Sequence, residues 1–144
     1  MNSLTLTHRD CVQLVRSPER GRYGAVTIDG VAPVPLACLM LDDGDLLIPT
    51  GDDRSLVRAA AGRPVSVEFT HRDRYGHLCW TVKGVGLARP MSSLDLPCPL
   101  PRSTVIETMP GAFSNGVRVV IARLTGFQMV TDTSIPQPRN ADVA

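Results

Sequence analysis

Apolar positions along this chain fall in short blocks with a period near two, and few stretches carry a helical spacing. Two apolar runs, YGAVTI (23–28) and VAPVPLACLML (31–41), flank Asp29-Gly30, a dipeptide suited to a type I′ turn, which predicts a hairpin. Pro33 and Pro35 cannot donate to a ladder, so that part of the second strand belongs at an edge or an opening. After the turn DDGD (42–45), LLIPT (46–50) reads as a third strand and PVSVEFTH (64–71) as a fourth. Beyond the turn RDRYG, HLCWTVKGVGLA (77–88) is a long fifth strand and GVRVVIARLTG (116–126) a sixth.

Two short segments keep a helical pattern. Residues 9–16 place Cys11, Val12, Leu14 and Val15 on one side, with Thr7 as N-cap, Asp10 in the first turn, and Pro18 and Gly21 beyond the end. Residues 54–61 form a second helix that stops at Gly62, a C′ residue, with Asp52 or Asp53 as its cap. Four prolines between Arg89 and Arg102 mark an irregular connection. The fold class expected is therefore mainly β: a six-stranded antiparallel barrel with two or more short helices. A single domain is expected over residues 1–130, with 131–144 as a flexible C-terminal tail.

The strand faces add an expectation about assembly. Leu78, Trp80, Val82, Gly84, Gly86 and Ala88 share one face of the fifth strand, yet the opposite face, Cys79 to Leu87, is also largely apolar. In the sixth strand Val117, Val119 and Ile121 stand opposite Val120, Ala122 and Leu124. A lone barrel wets its outer face, so apolar residues on both faces point to a homodimer.

Composition narrows the function classes. The 144 residues carry 15 Lys+Arg against 14 Asp+Glu, a net charge of +1, and no basic run, which leaves no footprint for nucleic acid. No apolar run is long enough for a transmembrane helix, and the first residues lack a signal-peptide pattern, so a cytoplasmic location is expected. Cys11, Cys38 and Cys79 read as small hydrophobes, while Cys98 between two prolines reads as exposed. None of the four pairs as C-x-x-C or joins His8, His71 or His77 in a zinc pattern, so no metal site is expected. Gly84 and Gly86 in GVGLARP lie inside a strand and read as barrel curvature, not as a dinucleotide fingerprint.

The order of these pieces, with GRYGAV and DG, the Pro35 strand, Thr50-Gly51, Leu56, VEF (67–69) and WTVKG (80–84), resembles the pyridoxamine 5′-phosphate oxidase-like family of flavin-binding split barrels, in particular its small actinobacterial members. The resemblance spans residues 8–127. It implies a homodimer with FMN, or a deazaflavin in some branches, in the groove between subunits, and an oxidoreductase acting on a small molecule. Carried over by position, it marks Pro35, Leu36, Thr50, Gly51, Arg54, Ser55, Trp80 and Thr81 as cofactor contacts. Trp80 and Thr81 would approach from the partner subunit.

Three positions depart from that pattern. The family's Arg-Thr at the end of the third strand is Pro49-Thr50 here, its following lysine is Ser55, and its Pro-Val-Asn is Pro35-Leu36-Ala37. Each lost phosphate-binding cation removes about 1.5–3 kcal/mol, and Arg54 is the neighbouring substitute. Asp52 and Asp53 add negative charge to the same corner. His71, Tyr75 and His77, clustered in HRDRYGH, are the candidates for acid–base work, since imidazoles titrate close to neutrality. A cofactor-free small-molecule binder on the same fold is the second reading, and a haem protein using His71 or His77 the third.

Overall fold

The computed structural model describes residues 2–107 and 111–130, and the expected tail at 131–144 lies outside the described residues. In chain order the elements are β1 (Asn2–Thr5), α1 (His8–Arg16), β2 (Gly21–Ile28), β3 (Val34–Met40), β4 (Leu46–Pro49), α2 (Ser55–Ala60), β5 (Pro64–Arg72), β6 (Leu78–Pro90), α3 (Thr104–Glu107) and β7 (Gly116–Val130). Single 3-10 turns lie at Ser93–Asp95 and Ala112–Ser114. The strands run β1-β7-β4-β3-β2-β5-β6, all pairings antiparallel, and β6 pairs back onto β7. Strands β2 to β7 thus close a six-stranded barrel, the expected fold class. β1 is a seventh strand that the polar run NSLT did not announce; it is exposed along its length and forms only against Thr5↔Phe127 to Asn2↔Val130.

Local chemistry explains the helix starts. The Thr7 hydroxyl accepts from the Asp10 N–H at 3.1 Å while the Asp10 carboxylate accepts from the Thr7 N–H at 3.3 Å, a complete capping box. Thr7→Ala is expected to lower stability by about 1 kcal/mol in urea titrations. The second helix differs from the expectation. Arg54 is its N-cap residue, with no side-chain cap. Asp53 instead accepts from the Ser55 N–H at 2.8 Å, in a turn just before the helix. At the other end Gly62 has φ +77°, the left-handed C′ position expected of it.

Hydrophobic residues divide into two clusters. Inside the barrel, Val26, Met40, Leu46, Ile48, Val67, Phe69, Val82 and Val119 pack with Cys11, Val12 and Val15 of α1. On the outer side of β3 and β4, Ala37, Leu39, Leu41 and Leu47 pack under Ile106 and Ala112. The unbroken apolar runs of these two strands are therefore covered on both faces, by the barrel core inside and by Met91, Leu96, Val105, Ile106, Ala112 and Phe113 outside.

The outer face of β6 and β7 is not covered in this way. Leu87 and Val120 are cross-strand partners, and they remain 59% and 44% exposed. The expected sharing of a face by Val120 and Leu124 is corrected here. Val85 pairs with Arg123 but Gly86 with Ile121, so β7 carries one extra residue at this point. That bulge reverses the alternation and sends Leu124 into the core, only 6% exposed. Gly86 permits it: a Cβ there would meet the Val120 carbonyl oxygen at 2.0 Å. The reading of this glycine as a point of barrel curvature holds.

The barrel is open at one place. β3 pairs with β2 from Val34 to Leu39, but with β4 only at Leu39 and Met40. The half of β3 that holds Pro35 and Leu36 thus has a neighbour on one side only, as the prolines required. The Asp29-Gly30 turn has φ +51° and +78°, the positive pair of a type I′ turn. The ladder begins at Val26↔Val34, so residues 31–33 splay away from it and form one lip of the opening.

Candidate functional site

Beside the unpaired half of β3 lies a groove of about 450 Å³. Its walls are Val26 and Ile28 of β2, Val34 and Leu36 of β3, and Leu56 and Ala59 of α2. Asp53 and Ser55 supply its polar edge. The size and the apolar lining are those of a small-molecule site. The groove exists because α2 packs Ala60 into the core while Leu56 and Val57 are only partly buried against it. The helix therefore stands as a wall and does not fill the gap. A second cavity of about 330 Å³, beneath Leu100 and Phe113, contains none of the candidate residues.

The corner from Thr50 to Ser55 is tightly self-bonded. The Thr50 N–H donates to the Asn115 carbonyl and the Gly51 N–H to the Ala112 carbonyl, each at 3.0 Å. The Asp53 N–H donates to the Thr50 carbonyl at 3.1 Å, and the Asn115 side chain donates to the Gly51 carbonyl at 2.8 Å. One Asp53 oxygen accepts both the Ser55 N–H at 2.8 Å and the Ser55 hydroxyl at 2.5 Å. The Ser55 hydroxyl, and after it the Ser55 N–H, hold the Asp53 carboxyl below the usual carboxylate range. This aspartate is anionic at neutral pH.

One group in the corner lacks a partner. The Thr50 hydroxyl oxygen is buried and has no hydrogen-bond partner among the described residues. A buried hydroxyl left unpaired costs about 1–3 kcal/mol, so a water or a ligand atom is what this position calls for. Arg54 is exposed at the edge of the corner.

The remaining candidates lie elsewhere on the protomer. Ile28, in the groove, pairs with Val65 at the start of β5, whereas His71 stands six residues further along that strand. At about 3.3 Å per residue this separates His71 from the level of Val65 by about 20 Å. Trp80, the cross-strand partner of His71, is 6% exposed and belongs to the core cluster. Its ring stacks on His71 at 5.7 Å and 22°, and the Arg22 guanidinium lies 5.0 Å from its centroid. Arg22 is held in turn by the carbonyls of Val15 and Ser17. The Thr81 hydroxyl donates to the Phe69 carbonyl at 3.1 Å and lies 3.4 Å from Glu68. Glu68 is exposed, with this threonine as its contact.

The 71–77 turn is organised around Asp73. Its carboxylate accepts from the N–H groups of Tyr75 and His77, and it stands 3.3 Å from the His77 ring. The His77 N–H is the main reason that the Asp73 carboxyl is held below its ordinary range. Tyr75 is 73% exposed, with its ring near Arg74 and His77. Within one protomer, Leu36 and Ser55 thus line the groove, with Thr50, Gly51 and Arg54 in the adjoining corner. Trp80, Thr81 and the His71–His77 turn stand apart from it. Asp53 is the groove residue that reading by position left as a helix cap, and the signal for it was its spacing two residues before Ser55. Burial pushes the Cys38 thiol up to about 12, so that cysteine is inert packing.

No family profile matches the sequence, and no curated protein is similar to it at a significant level. Solved structures do match. The FAD-binding protein of Mycobacterium smegmatis superposes with a TM-score of 0.58 at 22% identity, over 90% of this chain and all of that one. A provisionally assigned pyridoxamine 5′-phosphate oxidase of Corynebacterium glutamicum gives 0.62 at 19% identity, over 90% and 96%. This chain has the split-barrel fold. The flavocytochrome Anf3 of Azotobacter vinelandii gives 0.57 at 13% identity, over 89% of this chain and 70% of its own. At these identities the likeness establishes the split barrel and not its chemistry. Among the described residues no helix is long and apolar enough to cross a membrane, and no group of three or more His, Cys, Asp or Glu is placed to hold a metal.

The split barrel's groove and corner answer differently to a flavin. An isoalloxazine ring suits the apolar walls of Val26, Ile28, Val34, Leu36 and Leu56. A terminal phosphate does not suit the corner. The N–H groups of Thr50, Gly51, Asp53 and Ser55 are consumed, and the Asp53 carboxylate already occupies the turn before α2.

Proposed function

We propose that this protein is a flavin-linked oxidoreductase that takes the flavin ring in the groove between β3 and α2 and acts on a small molecule. The observation that carries this reading is the open apolar groove at the unpaired half of β3, on a fold shared with an FAD-binding protein and a flavocytochrome. A bound flavin supplies hydride or single-electron transfer. The chain's own share is to exclude water from the ring through Val26, Ile28, Leu36 and Leu56, and to meet the polar end with Asp53 and Ser55.

A homodimer belongs to the same proposal. The exposed Leu87–Val120 pair, with Phe127 on the same strand at 38% exposure, is the apolar face that a second copy would cover. A second copy is also the route by which Thr81 or the His71–His77 turn would reach a groove.

The test is flavin fluorescence on titrating the purified protein into FMN, riboflavin or FAD. Saturable quenching by at least one of them is expected, and Leu36→Asp, which places a charge on the groove wall, is expected to weaken it about tenfold or more. No quenching and no thermal shift with any of the three would leave the second reading, a cofactor-free binder. The self-bonded corner is the observation that favours that alternative.

A further inference from the structure

The polar end of the groove carries its own anion. Asp53 is exposed and fixed by two hydrogen bonds from Ser55 to a single oxygen. The Leu56 N–H also lies against this carboxylate and, after Ser55, helps hold it below the usual carboxylate range. Four of the N–H groups that would cradle an anion are already donated within the protein. The helix beyond is six residues long and has no side-chain cap. The corner's arginine, Arg54, follows Asp52 and Asp53 in the chain and is exposed. What the corner leaves open is the acceptor capacity of Asp53 and the buried, unpartnered hydroxyl of Thr50. Both suit a ligand end made of uncharged donors such as hydroxyl groups. Neither suits a phosphate, which presents acceptors and negative charge.

We infer that Asp53 stands in the place of the ligand's phosphate, and that the groove selects an unphosphorylated, riboflavin-class flavin whose polyhydroxyl tail donates to Asp53. This rests on the flavin reading above and deepens it. The arrangement works by exclusion as well as attraction. A phosphorylated flavin brings like charge against Asp53 where the N–H groups of Thr50, Gly51, Asp53 and Ser55 are already donated, whereas a hydroxyl tail brings donors to a fixed acceptor.

The experiment compares dissociation constants of riboflavin, FMN and FAD for the full-length protein and for Asp53→Asn. Asparagine keeps an oxygen for the Ser55 N–H and removes the charge. The wild-type protein is expected to bind riboflavin about tenfold tighter than FMN or FAD. Asp53→Asn is expected to strengthen FMN binding about tenfold and to weaken riboflavin binding about tenfold, because the amide nitrogen replaces the oxygen that accepts from the tail. A second measurement needs no variant: the preference for riboflavin should shrink between about 0.05 M and 1 M salt, as screening shortens the reach of the Asp53 charge. FMN bound as tightly as riboflavin by the wild-type protein would overturn this inference and leave the flavin reading intact. So would a preference that Asp53→Asn leaves unchanged. Binding of none of the three flavins would overturn the flavin reading itself.

Discussion

Gly86→Ala is expected to destabilise the protein by about 3 kcal/mol, at the upper end of what overpacking costs. The added Cβ would stand 2.0 Å from the Val120 carbonyl oxygen, 2.7 Å from its carbon and 2.9 Å from the Ile121 Cα. All three are backbone atoms of the strand that closes the barrel, so relief requires pulling β7 from β6 at the bulge. Gly84→Ala is the natural comparison. Its Cβ would meet the Ile121 Cδ1 at 3.0 Å and the Leu124 Cδ1 at 3.3 Å, the mobile ends of two side chains. About 1 kcal/mol is expected there. Thermal melts of the two variants check this: about 10 °C lost for Gly86→Ala and about 3 °C for Gly84→Ala, at roughly 3 °C per kcal/mol for a chain of this size. Equal shifts would mean that the bulge is free to relax.

Arg118→Met is expected to cost a similar amount, about 3 kcal/mol, by breaking a largely buried charge network. The Arg118 guanidinium binds Asp45 at 2.7 Å, Asp43 at 2.8 Å and Asp95 at 3.2 Å, and its side chain is 16% exposed. Asp95, with a side chain 5% exposed, also holds Arg89 at 2.6 Å, and Asp45 receives the Ile121 N–H at 2.9 Å. Methionine fills the stem's volume but leaves these carboxylates facing one another. The network ties the 92–95 turn and the β3–β4 turn to β7, so its loss loosens three segments together.

The same network sets an acid limit. Arg89's hydrogen bonds, and after them the Ser92 N–H and the two guanidinium charges, hold the Asp95 carboxyl well below the usual carboxylate range. A carboxyl whose folded pKa is depressed stabilises the fold above its unfolded pKa, near 3.9 for aspartate. That contribution disappears as pH falls toward the folded value. Stability of the wild-type protein is therefore expected to be flat near neutrality on this account and to fall below about pH 4. In Asp95→Asn the protein is weaker at neutral pH but the decline below pH 4 is shallower. Urea midpoints measured from pH 7 to pH 3 check both slopes.

Much of this architecture was legible residue by residue. The prolines at 33 and 35 announced the unpaired half of β3, because a residue without an N–H cannot serve a ladder on both sides. Thr7 and Asp10 announced the start of α1, and Asp29-Gly30 the positive-φ turn. The corner at Thr50–Ser55 was legible as a site only through a resemblance, and the altered residues Pro49 and Ser55 marked it as unusual. Asp53 was harder to read. An aspartate two residues before a serine serves equally as a cap, a turn or a ligand contact, and only its place on the rim of a groove separates these roles.

The sequence by itself determined what depends on neighbours in the chain: strand periods, turn residues, helix starts, and the positions barred from a ladder. Only the tertiary structure decided what depends on distant residues. The bulge that turns Leu124 inward arises where Gly86 lets a strand more than 30 residues away approach, and alternation within β7 alone carries no sign of it. The burial of the outer faces of β3 and β4 comes from Met91, Leu96, Val105, Ile106, Ala112 and Phe113, while Leu87 and Val120 on the outer face of β6 and β7 stay open. A groove is a gap between elements, so its walls, and the carboxylate at its edge, exist only once β2, β3 and α2 have been brought together.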